Sequence, residues 1–494
     1  MEPKFPFANC AACPLKNERA VPSDPHKPNA EWIIVGESPG ERELHSGQAF
    51  VGESGRLLWM ALKTQGIIRE ATQVLNAIAC WPGKAGSDEK AEALSAARMC
   101  CAGRLEAELT VRNADRLPIL SLGTVAREAF MGGEEATQGE DHATLTGRWY
   151  KDARGRRVLS SVHPAFIMRD PESARDFFDD LQKFAAGWHE PPTAPKTVVL
   201  DTKAALLPVL LRAAEQPIIA YDIETTQVDY RYDDVTLLTF NFDGVTSYIV
   251  PGKHKDVPEA KRLLYSLDPE IRQAWSDFWA CKAEFVAHNG KFDARFLLWQ
   301  CGMRARVDFD TLLAHYALDE RKGTHGLKTQ AARVLDVPDY ERALKQYLRS
   351  RHDNYGKIPW DVLITYASWD SLVTYKLRFE FEKRLAEDRS DRPLFKDVLM
   401  PVHTFIMEVE NYGVAVDVDY LDTLSERFGV ELETAREELM RLTEGHITNP
   451  NSPQQIARYF YEVLGMKKVH NSRVTAGSTG KEALTLLAKE YGNN

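Results

Sequence analysis

Short apolar runs that end in glycine, proline or acidic residues alternate along this chain with longer stretches of helical spacing, the pattern of an α/β protein. The first run, Trp32-Ile-Ile-Val-Gly36, predicts a strand that passes into a glycine-rich turn at Glu37-Ser-Pro-Gly40. Gly47-Gln-Ala-Phe50-Val-Gly52 then leads to Gly55-Arg-Leu-Leu-Trp-Met-Ala-Leu62, where apolar positions recur at helical intervals. Leu75-Asn76-Ala77-Ile78-Ala79 is a further apolar run, and Cys100-Cys101 are expected to precede a helix at Leu105-Glu-Ala-Glu-Leu109. A second strand and helix fall at Leu117 to Gly123 and Thr124 to Phe130. Trp149-Tyr150 and Val158-Leu159, joined through Asp152 to Gly155, predict a hairpin that delivers Ser160-Ser-Val-His163-Pro164-Ala165. Glu190-Pro-Pro-Thr-Ala-Pro195 interrupts the pattern as a stiff polar spacer. Beyond it come Thr197-Val-Val-Leu200, a helix over Ala204 to Ala214, and the β-rich run Ile218 to Thr226. Phe285-Val-Ala-His288 reads as a short strand before an amphipathic helix, and Val402 to Tyr412 and Tyr420 to about Leu442 read as helices.

The run Ile218 to Thr226 carries Asp222 and Glu224. Residues i and i+2 on a strand share a face, so both carboxylates point the same way. Hard divalent cations take oxygen ligands, and a paired-metal centre holds the attacking water and the leaving oxygen of a phosphodiester together. Downstream, Asp293 stands at a helix start, and Tyr366 and Asp370, four apart, share a helix face.

A length of 494 residues accommodates about two to four domains. With 44% hydrophobic and 27% charged residues the chain reads as globular. No apolar run reaches membrane-spanning length and Met1 to Pro6 lacks a signal pattern, so a cytoplasmic protein without membrane contact is expected. The balance of 62 basic against 72 acidic residues, net −10, excludes a protein that coats nucleic acid through bulk charge; local sites must do any DNA binding. Seven cysteines are an odd number, and Cys10, Cys13, Cys80, Cys100 and Cys101 all fall in the first 101 residues. That clustering favours a metal or cluster over disulfides, and spacing alone does not choose between zinc and iron–sulfur.

The first domain resembles the family 4 uracil-DNA glycosylases, the iron–sulfur branch of that superfamily. The matching stretches are Cys10 to Leu15, Gly36 to Leu58, Asn76 to Pro82, Cys101 to Leu105, Leu122-Gly123 and His163 to Arg169, in the family's order. The resemblance implies a 4Fe–4S cluster on Cys10, Cys13, Cys80 and one of the last pair, taken as Cys101 because its lead to Leu105 fits the family better than Cys100. It implies that Asn76 pairs with uracil O4 and N3–H, a pattern that cytosine reverses. By the same resemblance Phe50 stacks on a flipped base, His163 stabilises charge growing on uracil O2, and Glu37 sits where sugar cation and water meet. Glu43 would lie near uracil C5, and Ile167, Met168 and Arg169 are candidates for the wedge and phosphate contact. Leu44, Ala49 and Ala79 depart from the family's acidic residue, proline and lysine, which bears on rate and leaves a domain that reads uracil without cutting as the alternative.

The order Asp222-Ile-Glu224, then Asn289 with Phe292-Asp293, then Tyr366 with Asp370 resembles the 3′–5′ proofreading exonucleases of the DEDD type with tyrosine. Asp310-Thr-Leu-Leu and His325-Gly-Leu-Lys agree with the version attached to family A DNA polymerases. The resemblance implies two Mg²⁺ or Mn²⁺ ions on Asp222, Glu224, Asp293 and Asp370, a water positioned by Tyr366, strand contacts from Asn289 and Phe292, and a structural His288. Met400-Pro-Val402, Glu408 to Val414 and Ser452 to Ile456 resemble the segment that links exonuclease to thumb in those polymerases.

The expected architecture is an α/β uracil-glycosylase-like domain over 1–189, a linker over 190–196, a ribonuclease-H-like exonuclease domain over 197–388, and thumb-like helices over 389–494. The expected function is metal-dependent 3′–5′ removal of nucleotides from DNA, single-stranded or primer-template, coupled to uracil recognition or excision. The chain carries no palm metal site or fingers helix, so it is not expected to polymerise by itself, and a palm and fingers polypeptide is the expected partner. The rival expectation is a non-catalytic subunit that grips template.

Overall fold

A computed structural model describes residues 4–83, 87–131, 146–348, 353–387, 391–468 and 477–492. The chain falls into two units, Met1–Asn411 and Tyr412–Asn494, and two sheets organise the first. The expected domain end at residue 388 lies outside the described residues.

The first sheet has the order β2-β1-β3-β5-β4, with β1 Trp32–Gly36, β2 Thr72–Asn76, β3 Ile119–Leu122, β4 Trp149–Lys151 and β5 Arg157–Ser161. All neighbours are parallel except the β4–β5 hairpin, which pairs Trp149 with Leu159 and Tyr150 with Val158. Both faces of β1 are covered, which is why it reads as a continuous apolar run. Ile34 packs with Leu58, Leu62 and Phe184 on one side, while Ile33 and Val35 pack with Leu105, Leu109 and Phe130 on the other. From β1 the chain steps to β2 on one side and then to β3 on the other, so a crevice opens at the carboxyl ends where the order reverses. Gly36, Asn76, Leu122 and Ser161 all stand at those ends.

Helices α1 Glu53–Thr64, α2 Ser87–Val111, α3 Thr124–Glu128 and α4 Ala174–Ala186 cover this sheet. Cys100 and Cys101 sit inside α2 instead of ahead of it. The helix begins well before the Leu105 to Leu109 repeat, because Ser87 to Ala97 is rich in good helix formers.

The second sheet has the order β11-β10-β7-β8-β9-β6. Its strands are β6 Lys196–Val199, β7 Ile218–Thr225, β8 Val235–Asn241, β9 Thr246–Pro251, β10 Glu284–Ala287 and β11 Phe309–Asp310. Strands β7, β8 and β9 form an antiparallel meander, and β10 runs parallel to β7 on its other side. Helix α5 Lys203–Ala214 packs Leu206, Leu210 and Ala213 into the core, and the helices that carry side chains to the site are α6 Lys291–Cys301, α7 Leu327–Leu335 and α8 Trp360–Glu387. Small hydroxyls let α8 approach the sheet closely: Thr239 and Ser371 share a hydrogen bond of 2.9 Å, and Ser247 Oγ donates to Ser368 O at 2.7 Å.

The two lobes of the first unit meet along the end of α7. Asp336, its left-handed C-cap at φ 57°, accepts the Trp149 amide at 2.6 Å and pairs with Lys183. Arg333 reaches Asp180 at 3.2 Å, and Arg321 reaches Asp176 at 2.7 Å. The first unit also includes α9 Met400–Tyr412 up to Asn411; Glu410 on it bridges Lys291 at 2.6 Å and Arg295 at 2.9 Å. The second unit is helical, with α10 Val418–Leu442 capped by the Asp417 side chain and burying none of its residues. Among the described residues no helix is long and apolar enough to cross a membrane.

Candidate active sites

Strand β7 alternates its side chains, so Asp222 and Glu224 leave the sheet on one face and meet Asp370 from α8. One oxygen from each of these carboxylates lies within 4.8 Å of the others, and among the described residues no other set of metal-binding side chains converges so closely. They line a cavity of about 270 Å³ together with Asp293, Tyr366, Asn289, Phe292 and Lys328. Asp293 is held differently. It occupies the first turn of α6, and its Oδ1 accepts the amide of Ile223, between the two strand acids, at 3.0 Å.

Burial, reinforced by the neighbouring acids, pushes the carboxyls of Asp222 and Glu224 well above their ordinary range and raises Asp293 to about 7. Lys328 relieves part of this repulsion, donating to both Asp370 oxygens at 2.6 and 2.7 Å while its ammonium stands 4.3 Å from the centre of the Tyr366 ring. Tyr340 donates to Asp370 Oδ1 at 2.6 Å. Tyr366 is buried, and burial keeps its phenol protonated far above neutral pH. Asn289 is exposed, in a left-handed turn at φ 58° that asparagine tolerates, and its amide and that of Gly290 donate to Asp310. His288 lines the cavity but bonds Thr311 at 2.9 Å, and burial lowers it to about 3, so the ring is neutral.

The crevice of the first sheet is built around Gly36. It sits opposite Asn76 in the β1–β2 register, and a Cβ there would come within 2.5 Å of both Asn76 Oδ1 and the tip of the Phe50 ring. Only glycine lets amide and ring meet at this point. Phe50 holds a left-handed backbone at φ 54°, and its carbonyl accepts from Trp59 Nε1 at 3.2 Å. Arg69 donates to Ala49 O at 2.8 Å and pairs with Asp24. The Phe50 and His163 rings lie 6.0 Å apart and nearly parallel. His163 Nδ1 accepts the Ala165 amide at 3.2 Å, so in the neutral ring Nε2 carries the proton, and burial favours that neutral form despite the opposing pull of Glu37.

Glu37 Oε1 accepts the Val125 amide at 3.1 Å at the start of α3. Glu43 accepts Val51 N–H at 3.1 Å and Gly52 N–H at 2.7 Å, so it also braces the loop that carries Phe50. Arg169 and Met168 are exposed beside His163, whereas Ile167 packs into the core. Cys10, Cys13, Cys80, Cys100 and Cys101 line one small cavity, all but Cys100 buried. Burial raises the Cys13 thiol to about 11 and also raises Cys80.

Residues 24–186 match the uracil DNA glycosylase superfamily model, and residues 197–386 match the 3′-5′ exonuclease model of family A DNA polymerases. The chain joins a uracil-DNA glycosylase superfamily domain to a 3′–5′ exonuclease domain. It is 32% identical over 42% of its length to a DNA polymerase of Escherichia phage T5, covering 27% of that protein. To a DNA polymerase of Bacillus phage SP01 it is 23% identical over 84% of its length, covering 46%. A type-4 uracil-DNA glycosylase of Thermotoga maritima is 29% identical over 35% of this chain and 86% of the relative. The chain thus spans about a quarter to a half of the phage polymerases it matches.

In the exonuclease domain the tertiary structure adds Tyr340, Tyr355 and the placement of Lys328 to the residues read from the sequence. Tyr340 lies between α7 and α8 with no motif around it, so only the fold brings it to Asp370. In the glycosylase-superfamily domain the additions are Trp59, Arg69 and Arg104. Arg104 donates to Asn76 O at 2.6 Å and Ala77 O at 3.0 Å, fixing the end of β2. The sequence signal for Arg104 is its place four residues before Glu108, with which it pairs at 3.0 Å.

Proposed function

We propose that this chain removes nucleotides from the 3′ end of DNA in a divalent-metal-dependent hydrolysis, next to a domain that recognises and excises uracil. The convergence of Asp222, Glu224 and Asp370 within 4.8 Å carries the nuclease reading, because crowded acids, two buried and one half-buried, repel one another and call for a cation. The donor set is all oxygen and fits two Mg²⁺ or Mn²⁺ ions, held by these residues with Asp293. When bound, such ions would supply Lewis-acid stabilisation of the negative charge on the phosphoryl oxygens and activation of the attacking water.

The chain's own residues do the rest. Tyr366 stays protonated and orients the water by hydrogen bonding instead of taking its proton. Lys328 offers a positive charge to the scissile phosphate, and Tyr340 holds Asp370 in place. Asn289 and Phe292 shape the slot for the terminal nucleotide.

In the uracil pocket, Asn76 reads the base edge, Phe50 stacks on the ring, and His163 Nε2–H stabilises charge on O2 as the base leaves. Glu37 faces the sugar. The thiols fit an iron–sulfur cluster, since they line one buried cavity as soft sulfur donors. Cys101 suits the fourth position better than Cys100: it is buried, and it acts electrostatically on both Cys13 and Cys80. DNA is the substrate. A palm and fingers polypeptide is the partner this reading calls for, and the cytoplasm of a bacterial or phage-infected cell is its setting.

The test uses 3′-end degradation of a labelled oligonucleotide with Mg²⁺ or Mn²⁺ and single-turnover release of uracil. The wild type should show both, Asp222→Ala should lose nuclease activity by orders of magnitude while keeping uracil release, and Asn76→Ala should do the reverse. A wild type inert towards 3′ ends in both metals overturns the nuclease reading.

A further inference from the structure

Beside the nuclease cavity stands a ridge of aromatic side chains that the mechanism above does not use. Helix α6 brings Phe292 into the cavity, and Arg295 and Trp299, three and seven residues on, share its face. Trp299 stands roughly 10 Å along the axis from Phe292 and is 51% exposed. The loop after β7 passes Val228, which also lines the cavity, and continues through Tyr230, Arg231 and Tyr232.

These residues form one array. The Tyr230 ring lies 5.6 Å from Trp299, tilted by 56°, with the Arg295 guanidinium 4.0 Å from its centre. Arg231 stands 5.7 Å from the Tyr230 ring and 5.4 Å from Tyr232, which is 80% exposed. The loop is built, not loose. Gln300 donates to Tyr230 O at 2.9 Å, and Asp233 accepts the Asp229 amide at 2.7 Å. Thr226 N–H donates to Asp234 O at 2.9 Å, and Thr226 Oγ1 accepts the Asp234 amide at 3.0 Å. Asp229 pairs with Arg231 at 3.0 Å, keeping the guanidinium over the rings.

We propose that Tyr230, Tyr232 and Trp299 form a stacking platform for single-stranded DNA, gripping bases several nucleotides before the 3′ end that lies in the nuclease cavity. The proposal rests on the nuclease reading for its polarity. Continuity decides the occupant: a strand ending between Val228 and Phe292 leaves the cavity across these rings. Every base has a π-face, so such a platform binds without choosing sequence, and flanking arginines strengthen it. A protein chain has no comparable reason to follow the line from the cavity.

The experiment compares kcat/KM for degradation of a thymidine decamer and a thymidine trinucleotide by the full chain with Mg²⁺. The ratio is unaffected by the fraction of enzyme that is folded. The decamer's advantage in the wild type should shrink by roughly 5- to 100-fold in Tyr232→Ala and in Trp299→Ala, and Trp299→Phe should recover part of it. An unchanged ratio in both alanine variants overturns the platform.

In parallel, a decamer carrying 5-iodouracil at an interior position is photocross-linked in Ca²⁺, where binding is read without hydrolysis. An adduct on the peptide containing Tyr232 or Trp299 supports the platform even if the wild type hydrolyses nothing, which would overturn the nuclease reading alone. Adducts confined to other peptides overturn the platform.

Discussion

Asp293 shows how a single residue serves both fold and site, because the carboxyl oxygen that accepts the Ile223 amide ties α6 to β7 between the two strand acids. Burial raises its folded value to about 7, against 3.8 for the free side chain. The folded state therefore keeps a proton that the unfolded chain has already released, and metal-free stability should fall as pH rises from about 4 to 7. Melting in EDTA across that range should show a declining Tm, saturating Mg²⁺ should reduce the decline by the share of the nuclease acids, and Asp293→Asn should make it shallower without metal, Asp222, Glu224 and Asp180 supplying the rest. Lys328 is the complementary case. Lys328→Met leaves Asp370 without its cation and should destabilise the metal-free protein by about 1–3 kcal/mol, with most of the loss recovered when Mg²⁺ is added. The acids were legible because strand alternation and helix spacing place them. The Lys328 and Tyr340 contacts were not, because they depend on how α7 and the following loop pack against α8. For Glu43 the sequence suggested a pocket position, and the folded loop gives it two backbone amides to hold.

Helix α7 links the two lobes through its ends. Its first turn places Lys328 in the nuclease cavity, and its C-cap places Asp336 against Trp149 and Lys183. Removing the buried Asp336 carboxylate takes the acceptor from the Trp149 amide and the paired charge from Lys183, which keeps only the Gly147 and Arg333 carbonyls, so Asp336→Ala should cost about 3 kcal/mol. Proteolysis at Glu190 to Pro195 should become faster in that variant, and gel analysis of a timed digest reads it. Asp180, raised to about 7 by burial and facing Arg333, Lys183, Asp176 and Ser161, has the same sign of pH dependence as Asp293. Asp180→Asn should therefore reduce the loss of stability between about pH 4 and 7, as read by Tm at the two ends. Of the elements in this region only the Trp149 to Leu159 hairpin was read from the sequence; α4 and α7 were not. The lobe contact did not, because Asp180, Arg333 and Asp336 are ordinary surface residues until two lobes cover them.

At the scale of the whole molecule, a net charge of −10 means that DNA is held by local features instead of a general field. An iron–sulfur cluster on Cys10, Cys13, Cys80 and Cys101 would join the N-terminal segment to the end of the Ile78 to Cys80 run and to α2, closing a part of the first lobe with few apolar side chains of its own. Iron removal should lower the melting temperature of that lobe and abolish uracil release while leaving 3′-end degradation intact, a separation that calorimetry and the two activity assays resolve. Helix α10 was legible as a helix, starting two residues before the expected Tyr420, and its apolar Phe428, Leu432 and Met440 are exposed. By itself the sequence determined the α/β class, the strands β1, β3, β6, β7 and β10, and the shared faces of Asp222 with Glu224 and of Tyr366 with Asp370, because alternation and helical spacing act over a few neighbours. Strands β8, β9 and β11 went unread, and the candidate amide, histidine and cluster thiolates rested on family resemblance. Only the tertiary structure decided the sheet order, the meeting of Gly36 with Asn76 and Phe50, the partners of Asp370, and the aromatic ridge beside the cavity. Those contacts join residues far apart in sequence, and nothing local encodes which of many compatible surfaces will pack.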